Sequence, residues 1–211
     1  MLLTGEDIGA LEKRYRGRFI NAVTGVKSAS LIGTKSKGGD ENLALFSSVV
    51  HIGAHPPLIG FVMRPVHVER HTYKNIVSTG HYTINGVTDR MHERAHQTSA
   101  KYPAGTSEFE ACGIEKVYLE KFSAPFCAES AVKIGCVLED DIAIPANNTR
   151  LIVGRIVLLS VPGQYVHADG YVDLAAASVA AITGLDGYHS LNPVKRYSHA
   201  EPEKKLKQTF P

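Results

Sequence analysis

Two short apolar runs separated by a pair of prolines constrain the fold of this chain more than any other feature. The first run covers residues 43–52 and is interrupted only by Ser47 and Ser48, and the second covers residues 58–63. Runs of this length that are rich in Val, Ile and Phe are typical of buried strands. The Pro56-Pro57 pair between them predicts a tight loop. We therefore predict two buried strands joined by a short connection.

The polar residues beside these runs predict an anion-binding pocket next to an apolar wall. Adjacent residues of a strand point to opposite faces, so Ser47 and Ser48 place one hydroxyl on each face, and a buried hydroxyl needs a hydrogen-bond partner. Arg64 follows the second run, and Thr72 is placed to cap a short helix whose first backbone N–H groups remain free. A phosphorylated, planar and apolar ligand fits such a pocket.

The same residues resemble those of a known family. The chain has an Asn-x-Ala-x-Phe-Ser strand from Asn42, a Pro-Pro-Leu strand ending at Arg64-Pro65, and a Thr-x-x-Asn-Ile helix start at Thr72. Their order and spacing are similar to those of the flavin reductase-like family. The similarity extends to residues 26–27, 31–34 and 182–186. That family has the FMN-binding split-barrel fold, so the resemblance implies a mainly β, antiparallel Greek-key barrel with a few short peripheral helices.

The resemblance implies an FMN-binding oxidoreductase, an NAD(P)H-dependent flavin reductase that forms a homodimer. Electrons would pass from the bound flavin to free flavin, a monooxygenase partner or another acceptor. Hydride transfer to a flavin needs stacked rings and hydrogen-bond donors rather than a protein nucleophile, and the chain has no nucleophile-elbow motif. One alternative is a non-enzymatic FMN-binding electron carrier, and another is an interaction domain that has lost the cofactor.

The resemblance also implies roles for particular residues. The isoalloxazine and ribityl region is expected to be lined by Thr34, Asn42, Phe46, Ser47 and Ser48. The phosphate is expected to be held by Arg64, Thr72 and Asn75. His189 is expected to line the active site, where the C-terminal segment approaches the flavin edge and the nicotinamide, with simple packing as the alternative.

The rest of the chain predicts a single, mainly β domain over residues 1–211. Thr4 to Asp7 resemble a capping box and predict a helix up to Gly17. Strands are predicted at residues 19–23, 28–34, 82–87 and 130–138, and helices at residues 89–100 and 174–182. No βαβ alternation repeats and no GxGxxG motif is present, which argues against a Rossmann sheet. About seven strands, mostly antiparallel, fit a Greek-key barrel.

Two sets of basic residues have open interpretations. Arg155 lies alone in an apolar run. Because a charged residue in such a run needs a partner, we predict an ion pair with Glu139 or Asp141, with a ligand contact as the alternative. Lys35 and Lys37 lie in a loop with two glycines that lacks the Gly-Lys-Ser/Thr ending of a P-loop. A polar turn is the favoured interpretation of that loop, with the lysines over a bound ligand as the alternative.

Composition excludes several classes of protein. The net charge of +2 gives no reason to expect nucleic acid or a membrane surface as a partner, and no stretch approaches the apolar length of a membrane span. The start of the chain lacks the pattern of a secretory signal. Cys112, Cys127 and Cys136 are odd in number and widely spaced, which argues against a disulfide framework and fits the reducing cytoplasm.

One local motif suggests a metal site. His92-Glu93-Arg94-Ala95-His96 matches the HExxH pattern, in which two histidines one helical turn apart bind zinc. Arg90 and Arg94 flank the motif, whereas a zinc-binding helix of this kind runs through the protein interior. We therefore expect a solvent-facing helix and no metal.

Overall fold

The computed structural model describes residues 1–103 and 105–209. Its helices are α1 (Gly5–Ala10), α2 (Lys13–Val23), α3 (His71–Thr79), α4 (His92–Gln97) and α5 (Glu108–Ala111). Its strands are β1 (Val26–Ser28), β2 (Ser30–Lys35), β3 (Glu41–Phe46), β4 (Val50–Ala54), β5 (Pro57–Met63), β6 (His81–Gly86), β7 (Lys116–Val117), β8 (Phe126–Cys127), β9 (Lys133–Ile144), β10 (Thr149–Ser160), β11 (Ala180–Thr183), β12 (Gly187–Ser190), β13 (Arg196–Tyr197) and β14 (Gln208–Thr209).

The main sheet has seven strands in the order β3-β2-β6-β9-β10-β5-β4, and every neighbouring pair is antiparallel. A second sheet has the order β1-β11-β12, and two short ribbons pair β7 with β8 and β13 with β14. The prediction of a mainly antiparallel β protein with short helices is therefore confirmed. None of the helices in the described ranges is long and apolar enough to cross a membrane.

The core lies in two apolar clusters around the main sheet. One packs Leu31, Leu43 and Phe109 with residues of β11, and the other packs Ile32, Phe61 and other residues of β5, β6, β9 and β10. The alternation predicted for residues 130–138 is present in β9, where Ile134, Cys136 and Leu138 contact the second cluster. Strand alternation therefore located this buried face correctly.

The prediction of one continuous strand over residues 43–52 is wrong. β3 ends at Phe46 and β4 begins at Val50, so Ser47 and Ser48 lie between two strands. The hydroxyl of Ser48 accepts a hydrogen bond from the backbone N–H of Val62 (3.1 Å) and donates one to its carbonyl (3.2 Å). A side chain that bonds to backbone groups competes with the strand ladder, which explains the break.

The N-terminal residues 19–23 form a helix and not the predicted strand. α1 begins at the predicted capping box, in which Thr4 and Asp7 cap each other. α2 begins after Glu12, whose carboxylate accepts hydrogen bonds from the N–H groups of Arg14 and Tyr15. This second N-terminal cap starts a new helix that continues through residues 19–23.

Residues 174–182 are not helical, although they are rich in alanine. β11 (Ala180–Thr183) lies between β1 and β12, and the turn to β12 contains Gly184 at a φ of +62°. The helix preference of alanine amounts to only about 0.7 kcal/mol per residue. Pairing on both edges of β11 and the burial of Ala181 and Ile182 outweigh that preference.

Candidate functional site

Two buried hydrogen bonds bring together four of the predicted cofactor-binding residues. The amide of Asn42 on β3 donates to the hydroxyl of Thr72 on α3 at 3.0 Å. The amide of Asn75, one turn further along α3, donates to the hydroxyl of Thr34 on β2 at 3.1 Å. All four side chains are buried. Helix α3 therefore lies across β2 and β3 and is attached to them by polar contacts.

The N-terminus of α3 has no side-chain cap. Arg70 occupies the N-cap position in an extended conformation, and among the described residues no side-chain cap hydrogen bond reaches the first N–H groups. The prediction that Thr72 caps this helix is therefore wrong, because Thr72 lies inside its first turn. Helices α1 and α2 are capped by side chains, whereas α4 and α5, like α3, have no hydrogen bond from the N-cap side chain. Uncapped N–H groups and the helix dipole favour an anion at this end of α3.

Two arginines, Arg64 and Arg70, precede α3 along the chain. Arg64 is exposed, and among the ion pairs of the described residues it appears in none. The nearby carboxylate of Glu69 pairs with Lys74, whose amine lies 3.6 Å from it. The Nε atom of Arg70 is buried without a hydrogen-bond partner in the part of the chain that the structure describes. A guanidinium at Arg64 is therefore available to a ligand, while the charge near the first turn of α3 is mixed, because Glu69 pairs with Lys74 and the Asp141 carboxylate accepts a hydrogen bond from Tyr73.

An apolar wall begins at the end of β3. The ring of Phe46 packs edge-on against Phe61 with their centroids 4.9 Å apart. Ser47 is partly exposed beyond it, whereas Ser48 uses its hydroxyl on the backbone of Val62. Polar atoms and an aromatic surface therefore adjoin each other along the chain, and the predicted anion pocket beside them stays a prediction.

The structure places His189 apart from this group. It lies exposed on β12, in the second sheet, where its Nε2 atom is 2.7 Å from the hydroxyl of Thr183. Its neighbour Tyr188 packs against the first core cluster. No hydrogen bond within the described ranges connects His189 with the other predicted site residues, so its active-site role stays a prediction.

The histidines of the HExxH motif each have a protein partner. On α4, the Nδ1 atom of His92 is 2.7 Å from the carbonyl of Asp89, and the Nδ1 atom of His96 is 3.1 Å from the hydroxyl of Tyr188. Within residues 1–103 and 105–209, no three metal-binding side chains converge. These contacts explain the two histidines as structural, and the expectation of no metal stays a prediction.

Arg155 pairs with Glu139, one of the two partners predicted for it. Its guanidinium donates two hydrogen bonds to the carboxylate, at 2.7 and 2.9 Å, on the exposed face of the β9–β10 hairpin. The structural interpretation of Arg155 is therefore confirmed.

Lys35 and Lys37 line a cavity of about 370 Å³, and a larger cavity of about 440 Å³ lies beside α2. None of the nine predicted site residues lines either cavity.

Sequence reasoning missed Glu108, which reaches the site from α5. Its Oε2 atom accepts a hydrogen bond of 2.8 Å from the backbone N–H of Leu43, beside Asn42. The side chain is buried, and burial raises the pKa of Glu108 above its usual value. No local pattern could have identified it, because 65 residues separate it from Leu43.

Comparison with known proteins gives a consistent result. A family model described as "Flavin reductase like domain" matches residues 26–174. A curated but uncharacterised protein of Halalkalibacterium halodurans is 28% identical over 173 residues, which cover 79% of this chain and 82% of that protein.

One solved structure, from Shewanella frigidimarina, belongs to a protein provisionally named a flavin reductase with a split barrel domain. It is 44% identical, superposes with a TM-score of 0.91, and the match covers 95% of this chain and 100% of that one. Nitrilotriacetate monooxygenase component B from Bacillus cereus is 20% identical, with a TM-score of 0.81 over 91% of this chain and 96% of that one. At that identity the likeness shows the fold alone. The predicted split barrel is confirmed.

Proposed function

The chain belongs to the flavin reductase-like family, and we propose that it is an FMN-binding oxidoreductase that uses NAD(P)H to reduce flavin. The observation that carries the proposal is the uncapped N-terminus of α3, which follows the exposed Arg64 along the chain, with Thr72 and Asn75 buried in its first turns. This combination provides hydrogen-bond donors for a phosphate. The family match supports a flavin as the molecule that carries this phosphate.

The donors that remain on α3 fit a phosphate monoester. The hydroxyl of Thr72 accepts a hydrogen bond from Asn42, which leaves its own hydrogen free to donate. The amide of Asn75 uses one of its two hydrogens on Thr34. Arg64 adds a full positive charge, and a guanidinium can bind phosphate through two parallel hydrogen bonds. FMN ends in a doubly charged monoester, which gains more from these charges than a singly charged diester would.

The flavin ring is proposed to lie along the end of β3. Phe46 would supply an apolar surface there, and Ser47, Ser48 and the adjacent backbone would supply polar contacts to the pyrimidine edge and ribityl chain. Thr34 and Asn42 hold β2 and β3 against α3, which keeps the ring and phosphate ends of the site at a constant separation. Bound FMN would supply the hydride-accepting chemistry, while these residues orient it and exclude water.

A second copy of the chain is proposed to cover this site. β4 and β10 expose apolar side chains, among them Val50, Ile52, Val157 and Leu159, all more than 40% exposed. Exposed apolar surface of this kind is typical of protein interfaces. The three cysteines are buried and free, which fits the cytoplasmic location that we propose.

The acceptor of the electrons is proposed to be free flavin or a monooxygenase partner, by analogy with the monooxygenase component B proteins that share the fold. A flavin-binding electron carrier is the second candidate. The position of His189 favours it, because an exposed histidine bonded to Thr183 does not by itself form a nicotinamide site. A flavoredoxin of Desulfovibrio vulgaris also shares the fold, with a TM-score of 0.70 at 19% identity over 84% of this chain and 91% of that one.

The proposal is tested with the purified protein. Titration with FMN should give the two-banded absorbance of bound oxidised flavin, and NADH or NADPH should then be oxidised under steady-state conditions with added FMN. FMN binding without coenzyme oxidation would identify the electron carrier instead. Failure to bind at micromolar FMN would refute both candidates.

A further inference from the structure

A polar network attaches the first turn of α3 to the β9–β10 hairpin. The hydroxyl of Tyr73 donates a hydrogen bond of 2.8 Å to Oδ2 of Asp141. The guanidinium of Arg150 donates to the other oxygen of the same carboxylate and, at 3.1 Å, to the Asp141 carbonyl. It also lies over the ring of Tyr73, with its central carbon 5.8 Å from the ring centroid. One carboxylate thus connects a helix and both strands of the hairpin.

This network is better shielded from solvent than an ordinary surface ion pair. The side chains of Arg150 and Asp141 are only 26% and 20% exposed. Burial and the hydrogen bond to Asp141 raise the pKa of Tyr73, so the tyrosine remains a neutral donor. Hydrogen bonds to charged groups are stronger than neutral ones, and partial burial reduces the screening that weakens exposed pairs. The network is therefore able to restrain the helix.

The restrained residue adjoins the proposed phosphate site directly. Tyr73 follows Thr72 in the first turn of α3, whose N–H groups have no side-chain cap. Towards the C-terminus, α3 is held by the Asn75–Thr34 bond to β2. The Tyr73–Asp141 bond restrains the first turn in addition to the Asn42–Thr72 bond, so the three contacts together restrain the direction of the helix axis at its N-terminus.

We propose that Tyr73, Asp141 and Arg150 are positioning residues that aim the N-terminus of α3 at the phosphate, and so set the preference for a phosphorylated flavin over riboflavin. This inference rests on the phosphate site proposed above. Donors at a helix N-terminus bind an anion well only when they are already oriented, since reorientation on binding reduces affinity. Loosening the network should therefore weaken the contact to the phosphate and leave the contacts to the flavin ring unchanged.

The test compares the affinities of variants for FMN and riboflavin. Tyr73→Phe keeps the ring, its packing and the contact with Arg150, and removes only the hydrogen bond. Its dissociation constant for FMN should rise roughly threefold to thirtyfold, the range for residues that act through another group, while that for riboflavin stays as in the wild type. Asp141→Ala should behave in the same way. Glu139→Ala is the matched control, because Glu139 pairs with Arg155 on the same hairpin and does not touch α3.

The double variant Tyr73→Phe/Asp141→Ala should lose no more FMN affinity than the larger single loss, because both changes break one connection. The inference would be overturned by equal weakening of FMN binding and riboflavin binding, or by an effect of Glu139→Ala as large as that of Asp141→Ala. It would also be overturned if neither Tyr73→Phe nor Asp141→Ala reduced the affinity for FMN. If the wild type binds FMN and riboflavin with equal affinity, the proposed phosphate site itself is refuted, whatever the variants show. The two failures are therefore distinguishable.

Discussion

The amide nitrogen of Asn42 lies 3.0 Å from the hydroxyl oxygen of Thr72, although 30 residues separate them along the chain. Both side chains are buried. This bond is the polar contact between the strand expected to lie under the flavin and the helix expected to hold its phosphate. It makes Thr72 both a structural acceptor and a candidate donor to the ligand.

Replacing Thr72 with valine should therefore reduce both stability and FMN binding. Valine has nearly the same shape but leaves the buried amide of Asn42 without an acceptor, which costs about 1–3 kcal/mol. Urea unfolding measures the loss of stability, and Thr72→Ser is the control because it retains the hydroxyl. A Val variant as stable as the Ser variant would show that Asn42 does not depend on this bond.

Arg64→Ala should weaken FMN binding and leave riboflavin binding unchanged. Hydrogen bonds to a charged group contribute about 1.5–3 kcal/mol, so the dissociation constant for FMN should rise roughly tenfold to a hundredfold. Arg155→Ala, which removes another exposed arginine, paired with Glu139, serves as the control. Similar losses for both flavins, or none, would exclude Arg64 from the phosphate site.

The Glu108→Gln variant should become more stable relative to the wild type as the pH rises. Burial raises the pKa of Glu108 in the folded protein above the ordinary value of 4.5, so its contribution to stability is fully present below pH 4.5 and declines as the pH passes the raised pKa. Glutamine stays neutral and can still accept the hydrogen bond from Leu43. In urea unfolding, the variant should match the wild type in acid and exceed it at pH 8.

Glu139→Gln is the control with the opposite sign. The hydrogen bond from Arg155 lowers the pKa of Glu139, so that its contribution is present at neutral pH and is lost as the pH falls. The same trend in both variants would mean that Glu108 is not governed by its burial.

Gly154→Ala should destabilise the protein, because a Cβ atom at this position of β10 would lie 2.0 Å from the hydroxyl oxygen of Tyr82. Overpacking of this kind costs about 1–3 kcal/mol or more. That hydroxyl is buried beside the thiol of Cys136 without a partner of ordinary hydrogen-bond geometry among the described residues. Tyr82→Phe should therefore be nearly neutral alone and should recover part of the Gly154→Ala loss. Thermal unfolding measures each variant.

Gly17→Ala is the matched control, since nothing lies within 4 Å of its added Cβ. In the middle of α2 it should raise stability slightly, by roughly 1 kcal/mol at most. A loss at residue 17 equal to that at residue 154 would contradict the steric explanation.

Metal analysis of the purified protein should find well under one zinc per chain. His92 and His96 are each engaged with a protein group at Nδ1, and chelators should leave NAD(P)H oxidation intact. Stoichiometric zinc that disappears in His96→Ala would show that the HExxH match is a real site.

Local sequence patterns were sufficient for strand β9 and for the family. The alternation of β9 and the residues that resemble the flavin reductase-like family depend on neighbours along the chain, and the structure and the family match agree with both. The same patterns failed where a local preference was outweighed. Residues 174–182 have the composition of a helix, and pairing of β11 with β1 and β12 made part of them a strand.

The sequence by itself determined which residue types are available, and only the tertiary structure decided which of them meet. Thr34 and Asn75 are 41 residues apart, and Tyr73 and Asp141 are 68 apart. Burial gives such contacts their strength, because a buried polar group must find a partner or lose free energy. No local pattern encodes that partner. It is selected when α3 packs across β2 and β3 and the β9–β10 hairpin closes against it.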